Sequence, residues 1–173
     1  YLGRVFSGDL GYSFYYDESV TTLLLQRLPT TLLLSLSALI LAVIFGTLFG
    51  VYAAIRPNGL FSNFVTVFSL FGYATPVFWL GMIILLVFAL HIPLFPAFGI
   101  RSIPAPDTAL GRVFDVAYHL VLPTFTLAIL YLANYSRISR AAMMDVLGAD
   151  YIRTARTKGL SETKVIFKHA LKN

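Results

Sequence analysis

Side chains able to perform chemistry are few in this sequence, and their spacing does not form a reactive group. The chain has no cysteine, which excludes disulfides, thiolate nucleophiles and cysteine-based zinc sites. Its three histidines, His91, His119 and His169, lie far apart, and none has a neighbour at metal-ligand spacing. The sequence also lacks the phosphate-binding pattern G-x-x-x-x-G-K-[ST]. We therefore predict no catalytic residue, no metal ligand and no cofactor bound by this chain.

A second group of polar residues lies inside long apolar runs. Pro76 stands near the middle of one run, close to Ser69, Tyr73 and Thr75, and Asn134 stands near the end of another. A proline inside a helix removes a backbone hydrogen bond and bends the helix. In a membrane the freed carbonyl must be satisfied by neighbours, hydroxyls or water. Two interpretations stay open: Pro76 makes a packing kink, or these five residues line a polar path.

The apolar runs themselves predict the fold class. Hydrophobic residues make up 58% of the chain and charged residues 12%, against about 45–50% and 25% in soluble domains. Arg56 is the only charged residue between Leu28 and Ile100. A membrane span needs roughly 20 apolar residues. We predict an all-α, polytopic membrane bundle with three spans, at about 30–55, 62–90 and 116–136.

The remaining segments are predicted as one domain that is incomplete at both ends, because the chain opens without Met and stops inside a helical pattern. Residues 1–29 form an external segment with an interfacial helix, capped by Ser19 and ending near Leu28, and Pro29 opens the next helix. Residues 91–115 form an external loop. In the first span, Gly46-x-x-x-Gly50 indicates either close helix packing or a coincidence of two glycines.

Charge sets the predicted orientation. Residues 137–173 hold eight of the 13 Lys and Arg residues and three of the eight acidic residues. Cytoplasmic flanks of membrane helices are rich in Lys and Arg, so this segment is predicted to be cytoplasmic. The same rule accounts for the net charge of +5 without a nucleic-acid partner.

The cytoplasmic segment has the pattern of short surface helices. Asp150 is a candidate N-cap for a helix over residues 151–158, Gly159 a candidate stop, and Ser161 a candidate cap for a second helix. One interpretation is a basic amphipathic helix that rests on anionic lipid. In the other, a small apolar face formed by Tyr151, Ile152 and Ala155 enters a groove of a cytoplasmic partner.

A resemblance favours the second interpretation. Residues 140–173, which contain D-Y-I-R-T-A-R-T-K-G-L-S and H-A-L-K-N, resemble the cytoplasmic loop of ABC importer permeases of the oligopeptide/dipeptide/nickel group. The stretches 8–13, 27–32 and 119–123 also resemble that group. Departures are small: Thr157 stands where the group has alanine, Asp145 where it has glutamate, and Leu171-Lys172 where the wider motif has Leu-Pro.

The resemblance implies a type I ABC importer permease-like fold and a transporter subunit that is not an enzyme, in a bacterial or archaeal cytoplasmic membrane. Implied partners are a second permease subunit, two ATP-binding subunits that hold ATP and Mg²⁺, an extracytoplasmic substrate-binding protein and membrane lipid. The implied solute is a dipeptide or oligopeptide, with nickel, opines or oligosaccharides as alternatives. An intramembrane enzyme is disfavoured, because the predicted spans hold no Asp, Glu, Lys or Arg. A membrane scaffold is disfavoured by the mid-span proline with its nearby hydroxyls and by the capped cytoplasmic docking helix. The implied ATPase-coupling residues are Asp150, Tyr151, Ile152, Arg153, Thr154, Ala155, Arg156, Lys158 and Gly159.

Overall fold

The computed structural model describes residues 2–172, and helices dominate that range. The chain divides into two units, Tyr1–Ser37 and Ala38–Asn173, which are treated separately below. The helices are α1 (Leu2–Phe6), α2 (Val20–Ile55), α3 (Leu60–Ala74), α4 (Val77–Leu85), α5 (Ala109–Leu147), α6 (Asp150–Thr157) and α7 (Glu162–Lys164). π-Helical turns extend α4 over Leu86–His91 and α7 over Val165–Ala170. This architecture confirms the predicted fold class.

The first unit contains a small hairpin that the sequence did not predict. Strands β1 (Tyr12–Ser13) and β2 (Glu18–Ser19) pair antiparallel, with Tyr12 opposite Ser19. In the turn before β1, Arg4 donates a hydrogen bond to Asp9 at 2.8 Å. That bond, together with the backbone N–H of Gly11, lowers the pKa of the Asp9 carboxyl from its ordinary value.

Helix α2 is longer than predicted at its N-terminal end. Ser19 does cap a helix, because its hydroxyl accepts a hydrogen bond from the Thr22 N–H at 3.1 Å. The predicted end near Leu28 and the new start at Pro29 are wrong, since one helix of 36 residues runs through Pro29. Leucine-rich stretches flank the proline on both sides, and their helix propensity outweighs a single missing backbone bond.

The predicted second span is two helices and not one bent helix. The axes of α3 and α4, with its π-helical extension, are bent by 104° at the break between them. Thr75 adopts an extended conformation with ψ 125°, as expected of a residue that precedes proline. Its N–H and its hydroxyl both donate to the Phe71 carbonyl, at 3.0 and 2.7 Å. The C-terminus of α3 is therefore satisfied locally.

Helix α5 extends the predicted third span at both ends, over 39 residues. Thr108 caps it, because its hydroxyl accepts a hydrogen bond from the Gly111 N–H at 3.0 Å. The irregular segment before it is attached to the helix: Ser102 donates through its N–H and its hydroxyl to the Asp115 carboxylate, at 2.8 and 2.6 Å. The Tyr118 hydroxyl also donates to the Leu94 carbonyl.

Two helices among residues 2–172, α2 and α5, are long and apolar enough to cross a membrane, and the count rises to three if the bent α3–α4 pair forms one span. Within the second unit, α2 and α5 approach closely at the two glycines noted above. A Cβ added at Gly46 would lie 2.6 Å from the Tyr135 Cβ, and one added at Gly50 would lie 2.6 Å from the Ser136 carbonyl oxygen. The spacing of these glycines therefore reflects close packing.

Candidate functional site

Helix α6 begins and ends almost as the sequence predicts. Asp150 is the first helical residue and Ala149 occupies the N-cap position, so the prediction of Asp150 as the cap is wrong. The Asp150 carboxylate instead lies in the first turn, where the helix dipole favours an anion. Gly159 has φ +75° and ends the helix as predicted. Ser161 precedes α7 in the cap position, but its side chain makes no cap hydrogen bond.

The inner face of α6 is buried within this chain. Ile152 is 0% exposed and Ala155 7% exposed. The buried cluster to which they belong unites the ends of four elements and consists of Val51, Ala54, Met143, Ile152, Ala155, Val165, Ile166 and Ala170. The prediction that Ile152 and Ala155 enter a partner's groove is therefore wrong. Their spacing indicated an apolar face, but the sequence could not show that α2 and α5 already cover it.

The outer face of α6 is polar, basic and exposed. It carries Tyr151, which is 44% exposed, and the exposed residues Arg153, Thr154, Arg156 and Lys158. Arg153 and Lys158 make no ion pair with any carboxylate among residues 2–172. This face is anchored through Ile152 and Ala155 in the buried cluster, and the charges of Arg153 and Lys158 are available to a binding partner.

One ion pair on the outer side connects α6 to α7. The Arg156 guanidinium donates to Glu162 at 2.8 Å through Nε and at 3.4 Å through a terminal nitrogen. Both side chains are substantially exposed, so this pair contributes about 0–1 kcal/mol to stability. Its effect is to orient Arg156 and not to hold the fold together.

A second feature is a cavity of about 230 Å³ between α3 and α5. Three of the predicted path residues, Ser69, Tyr73 and Asn134, line it. The other two, Thr75 and Pro76, lie at the break between α3 and α4. The full lining is Val65, Thr66, Ser69, Leu70 and Tyr73 from α3 and Ala133, Asn134, Arg137, Arg140, Ala141 and Met144 from α5.

Two arginines that sequence reasoning did not assign to this site give the cavity its charge. The guanidinium carbon of Arg137 lies 5.7 Å from the centroid of the Tyr73 ring. Arg140 donates to the Thr66 hydroxyl at 3.0 Å and to the Pro57 carbonyl at 3.3 Å, while its Nε is buried without a hydrogen-bond partner. The signal was present in the sequence, since residues 134, 137 and 140 recur at a spacing that places them along one side of a helix.

Next to the arginines, a buried polar contact joins α3 and α5. The hydroxyls of Ser69 and Ser136 lie 3.0 Å apart, and Ser136 also donates to the Ala133 carbonyl. Gly72 permits the approach, because an added Cβ would lie 2.9 Å from the Ala133 Cβ. The position of the cavity walls is therefore set by small side chains. Among residues 2–172, no cluster of three or more His, Asp or Glu side chains could hold a metal.

Comparison with known sequences identifies the family. Residues 46–173 match the binding-protein-dependent transport system inner membrane components. The chain belongs to this family. The resemblance deduced from the cytoplasmic segment is thereby confirmed, and the apolar helices are those expected of an inner membrane component.

Relatives of this inner membrane component are named as peptide permeases. It is 41% identical, over its whole length, to the oligopeptide transport system permease protein AppB of Bacillus subtilis, of which 54% is covered. It is 40% identical over its whole length to the di/tripeptide transport system permease protein DppB of Pseudomonas aeruginosa, with 56% covered. Against the dipeptide permease DppB of Escherichia coli K12 the identity is 35%, again with 56% covered. The chain thus spans about half the length of the curated relatives it matches.

Proposed function

We propose that this chain is the membrane-embedded part of a permease subunit in an ATP-driven importer of short peptides, without enzymatic activity of its own. The observation that carries the proposal is the similarity of the entire chain to peptide permeases. The proposed setting is a bacterial or archaeal cytoplasmic membrane. The proposed partners are a second permease subunit, two ATP-binding subunits that hold ATP and Mg²⁺, and an extracytoplasmic substrate-binding protein.

We propose that α6 couples the ATP-binding subunits to the membrane helices through its outer face. Eight residues are too few for a helix that persists alone in water, and α6 is held by Ile152 and Ala155 in the core that also contains residues of α2 and α5. A displacement of α6, caused by a contact on its outer face, would therefore be transmitted to α2 and α5. The contact residues in this proposal are Tyr151, Arg153, Thr154, Arg156 and Lys158.

We propose that the α3–α5 cavity belongs to the translocation path. Asn134, Tyr73 and Ser69 supply hydrogen-bonding groups there, and the break at Thr75 and Pro76 lies at the end of the same helix, α3. Polar groups within apolar spans are expensive and mark transport pathways in membrane proteins. Peptides are the solute that the relatives' names support, and nickel, opines and oligosaccharides are the alternatives to be tested in the same uptake assay.

The test uses the full-length permease, co-expressed with its partner subunits and reconstituted in vesicles with the binding protein. ATP-dependent uptake of a labelled dipeptide is measured, together with the amount of ATP-binding subunit that co-purifies. Arg153→Glu reverses one charge of the outer face and is expected to reduce both quantities by about tenfold, because a charge-assisted contact becomes repulsive. Lys164→Glu, an equal reversal at an exposed position of α7, is expected to change neither by more than about twofold.

Each outcome separates one part of the proposal from another. If the unmodified complex takes up no peptide but takes up one of the alternative solutes, the assignment of peptides is wrong. If Arg153→Glu behaves like Lys164→Glu, the outer face of α6 is not where the ATP-binding subunits dock.

A further inference from the structure

We propose that the α3–α5 cavity recognises the C-terminal carboxylate of the transported peptide, with Arg137 as the specificity-determining residue. The inference rests on the proposed function, since it names what the cavity would bind in a peptide permease. It assigns to two arginines a role that the apolar composition of the spans did not suggest.

The charge of the cavity supports an anionic ligand. Its lining contains two guanidinium groups and no carboxylate. The described contacts of Arg140 are to neutral oxygens, and Arg137 lies against an aromatic ring. Neither arginine forms an ion pair within residues 2–172. Arg140 is half-buried among neutral neighbours, and such a cation gains most from a ligand that brings its own negative charge.

The geometry of the polar groups suits a carboxylate in particular. A guanidinium is a planar fork of donors that matches the two oxygens of a carboxylate. The buried Nε of Arg140 remains a donor without an acceptor, and Asn134 lines the cavity beside Arg137. The side chain of Arg137 is exposed, so it can turn from the Tyr73 ring to a ligand without leaving a buried charge behind.

The walls and the size of the cavity suit one end of a peptide. Val65, Leu70, Ala133 and Met144 form apolar walls, and Met in particular adapts to side chains of varied shape. The volume of about 230 Å³ is below the roughly 300–1,000 Å³ of sites that enclose a drug-sized ligand. The cavity can therefore accept a terminal residue of variable side chain but not a whole oligopeptide.

A permease for peptides of varied sequence needs to recognise a group that all of them share. The side chains of dipeptides and tripeptides vary, whereas a terminal carboxylate is present in all of them. A cavity with cations and no anions attracts the carboxylate end and repels the ammonium end. The peptide would thus pass this point in one orientation, whatever its sequence.

The experiment compares a dipeptide that has a free carboxylate with the same dipeptide as its C-terminal amide. The full-length permease is reconstituted with all its partner subunits, and the initial rate of ATP-dependent uptake is measured for each peptide. The affinity of the binding protein for each peptide is measured separately, and both peptides are supplied at concentrations that saturate it equally. The measured quantity is the uptake rate of the dipeptide with a free carboxylate divided by the uptake rate of its amide.

Arg137→Gln is expected to lower this ratio by about tenfold, which is the factor associated with one charge-assisted hydrogen bond. The uptake of the amide is expected to change little. Arg137→Lys keeps the positive charge but lacks the planar fork of donors, so its ratio is expected to lie between those of the unmodified protein and Arg137→Gln. Lys164→Gln removes an exposed charge outside the cavity and serves as the matched control. Arg140→Gln is a weaker test, because Arg140 also holds Thr66 and the Pro57 carbonyl.

Three results would overturn the inference. An equal loss for both peptides in Arg137→Gln would show that the residue only supports the structure. An unchanged ratio would show that the α3–α5 cavity does not recognise the carboxylate of the peptide. A loss that depends on the fraction of anionic phospholipid in the vesicles, and not on the peptide terminus, would identify a lipid as the occupant. If the unmodified complex fails to transport either peptide, the proposed function itself is wrong, which is a distinguishable outcome.

Discussion

At the scale of single residues, the two apolar side chains of α6 have a different role from the one that their sequence pattern suggests. Ile152 and Ala155 are spaced as a docking face would be, yet both are buried against the helices of their own chain. A pattern of apolar residues predicts that a face will be covered, but it carries no information on what covers it. The exposed cations beside them were the more informative residues.

Ala155→Asp tests this burial. The carboxylate would be placed at a position that is 7% exposed, without a described cation to pair with inside the cluster. Burying a charge in this way is expected to lower the free energy of unfolding by at least about 2 kcal/mol. We expect faster trypsin cleavage at Arg153, Arg156 and Lys158 as α6 detaches.

Thr154→Asp is the matched control, because Thr154 is exposed. This variant should be cleaved at a rate close to that of the unmodified protein. Equal rates for the two variants would mean that α6 is not anchored through Ala155, and the transmission of force proposed for this helix would lose its basis.

At the scale of elements, the contact of α2 with α5 at Gly50 is limited mainly by backbone atoms. A Cβ at Gly50 would lie 2.6 Å from the Ser136 carbonyl oxygen, 2.7 Å from the Ser139 Cβ and 2.8 Å from the Arg140 nitrogen. Two of these atoms belong to backbone, which cannot rotate away. The helices would have to separate to admit even a methyl group.

Gly50→Ala is therefore expected to destabilise the protein although alanine is the better helix former. Overpacking of this kind amounts to about 1–3 kcal/mol, and it should appear as a lower midpoint of thermal unfolding in detergent. Gly3→Ala, in α1, adds the same atom where nothing lies within 4 Å and should leave the midpoint unchanged. A raised midpoint for Gly50→Ala would show that the two helices do not pack as described.

The elements also show what could be predicted from the sequence. Apolar run length identified α2 and α5. The glycine spacing left close packing and coincidence open, and it did not indicate α5 as the helix that packs there. Two prolines behaved differently in ways that their immediate context explains only in part: α2 continues through Pro29, whereas Thr75 and Pro76 end α3 with a bend of 104°. A kink or a break at a proline depends on what packs around it, and this is not local information. The α3–α5 cavity is formed by two helices that are distant in sequence. Some of its lining residues could therefore be predicted, but the cavity itself could not.

At the scale of the whole molecule, the orientation in the membrane remains a prediction from the distribution of Lys and Arg. It can be tested with single introduced cysteines, because residues 1–173 contain none and any cysteine elsewhere in the full-length protein can first be replaced. Ile103 is 97% exposed and is a better site for a probe than Thr108, whose hydroxyl caps α5. In the full-length protein, Ile103→Cys should react with an impermeant maleimide in intact cells.

Thr163→Cys, an exposed position of α7, should react only after the cells are opened. The measurement is the labelled fraction of each variant, with and without permeabilisation. The reverse pattern would place α6 outside the cell, and then neither its proposed contact with ATP-binding subunits nor the positive-inside interpretation could hold.

The length of α5 has a mechanical consequence. With 39 residues and a rise of about 1.5 Å for each, it is a rod of roughly 58 Å. It carries the attachment of the irregular segment at Asp115 near one end and Met143 of the buried cluster near the other. A tilt of about 5° around its midpoint would displace the two ends in opposite directions by roughly 2.5 Å each. Bending would concentrate at Pro123, where the backbone lacks a donor. The stiffness of α5 thus couples a displacement at Asp115 to an opposite displacement at Met143, and bending at Pro123 would reduce that coupling.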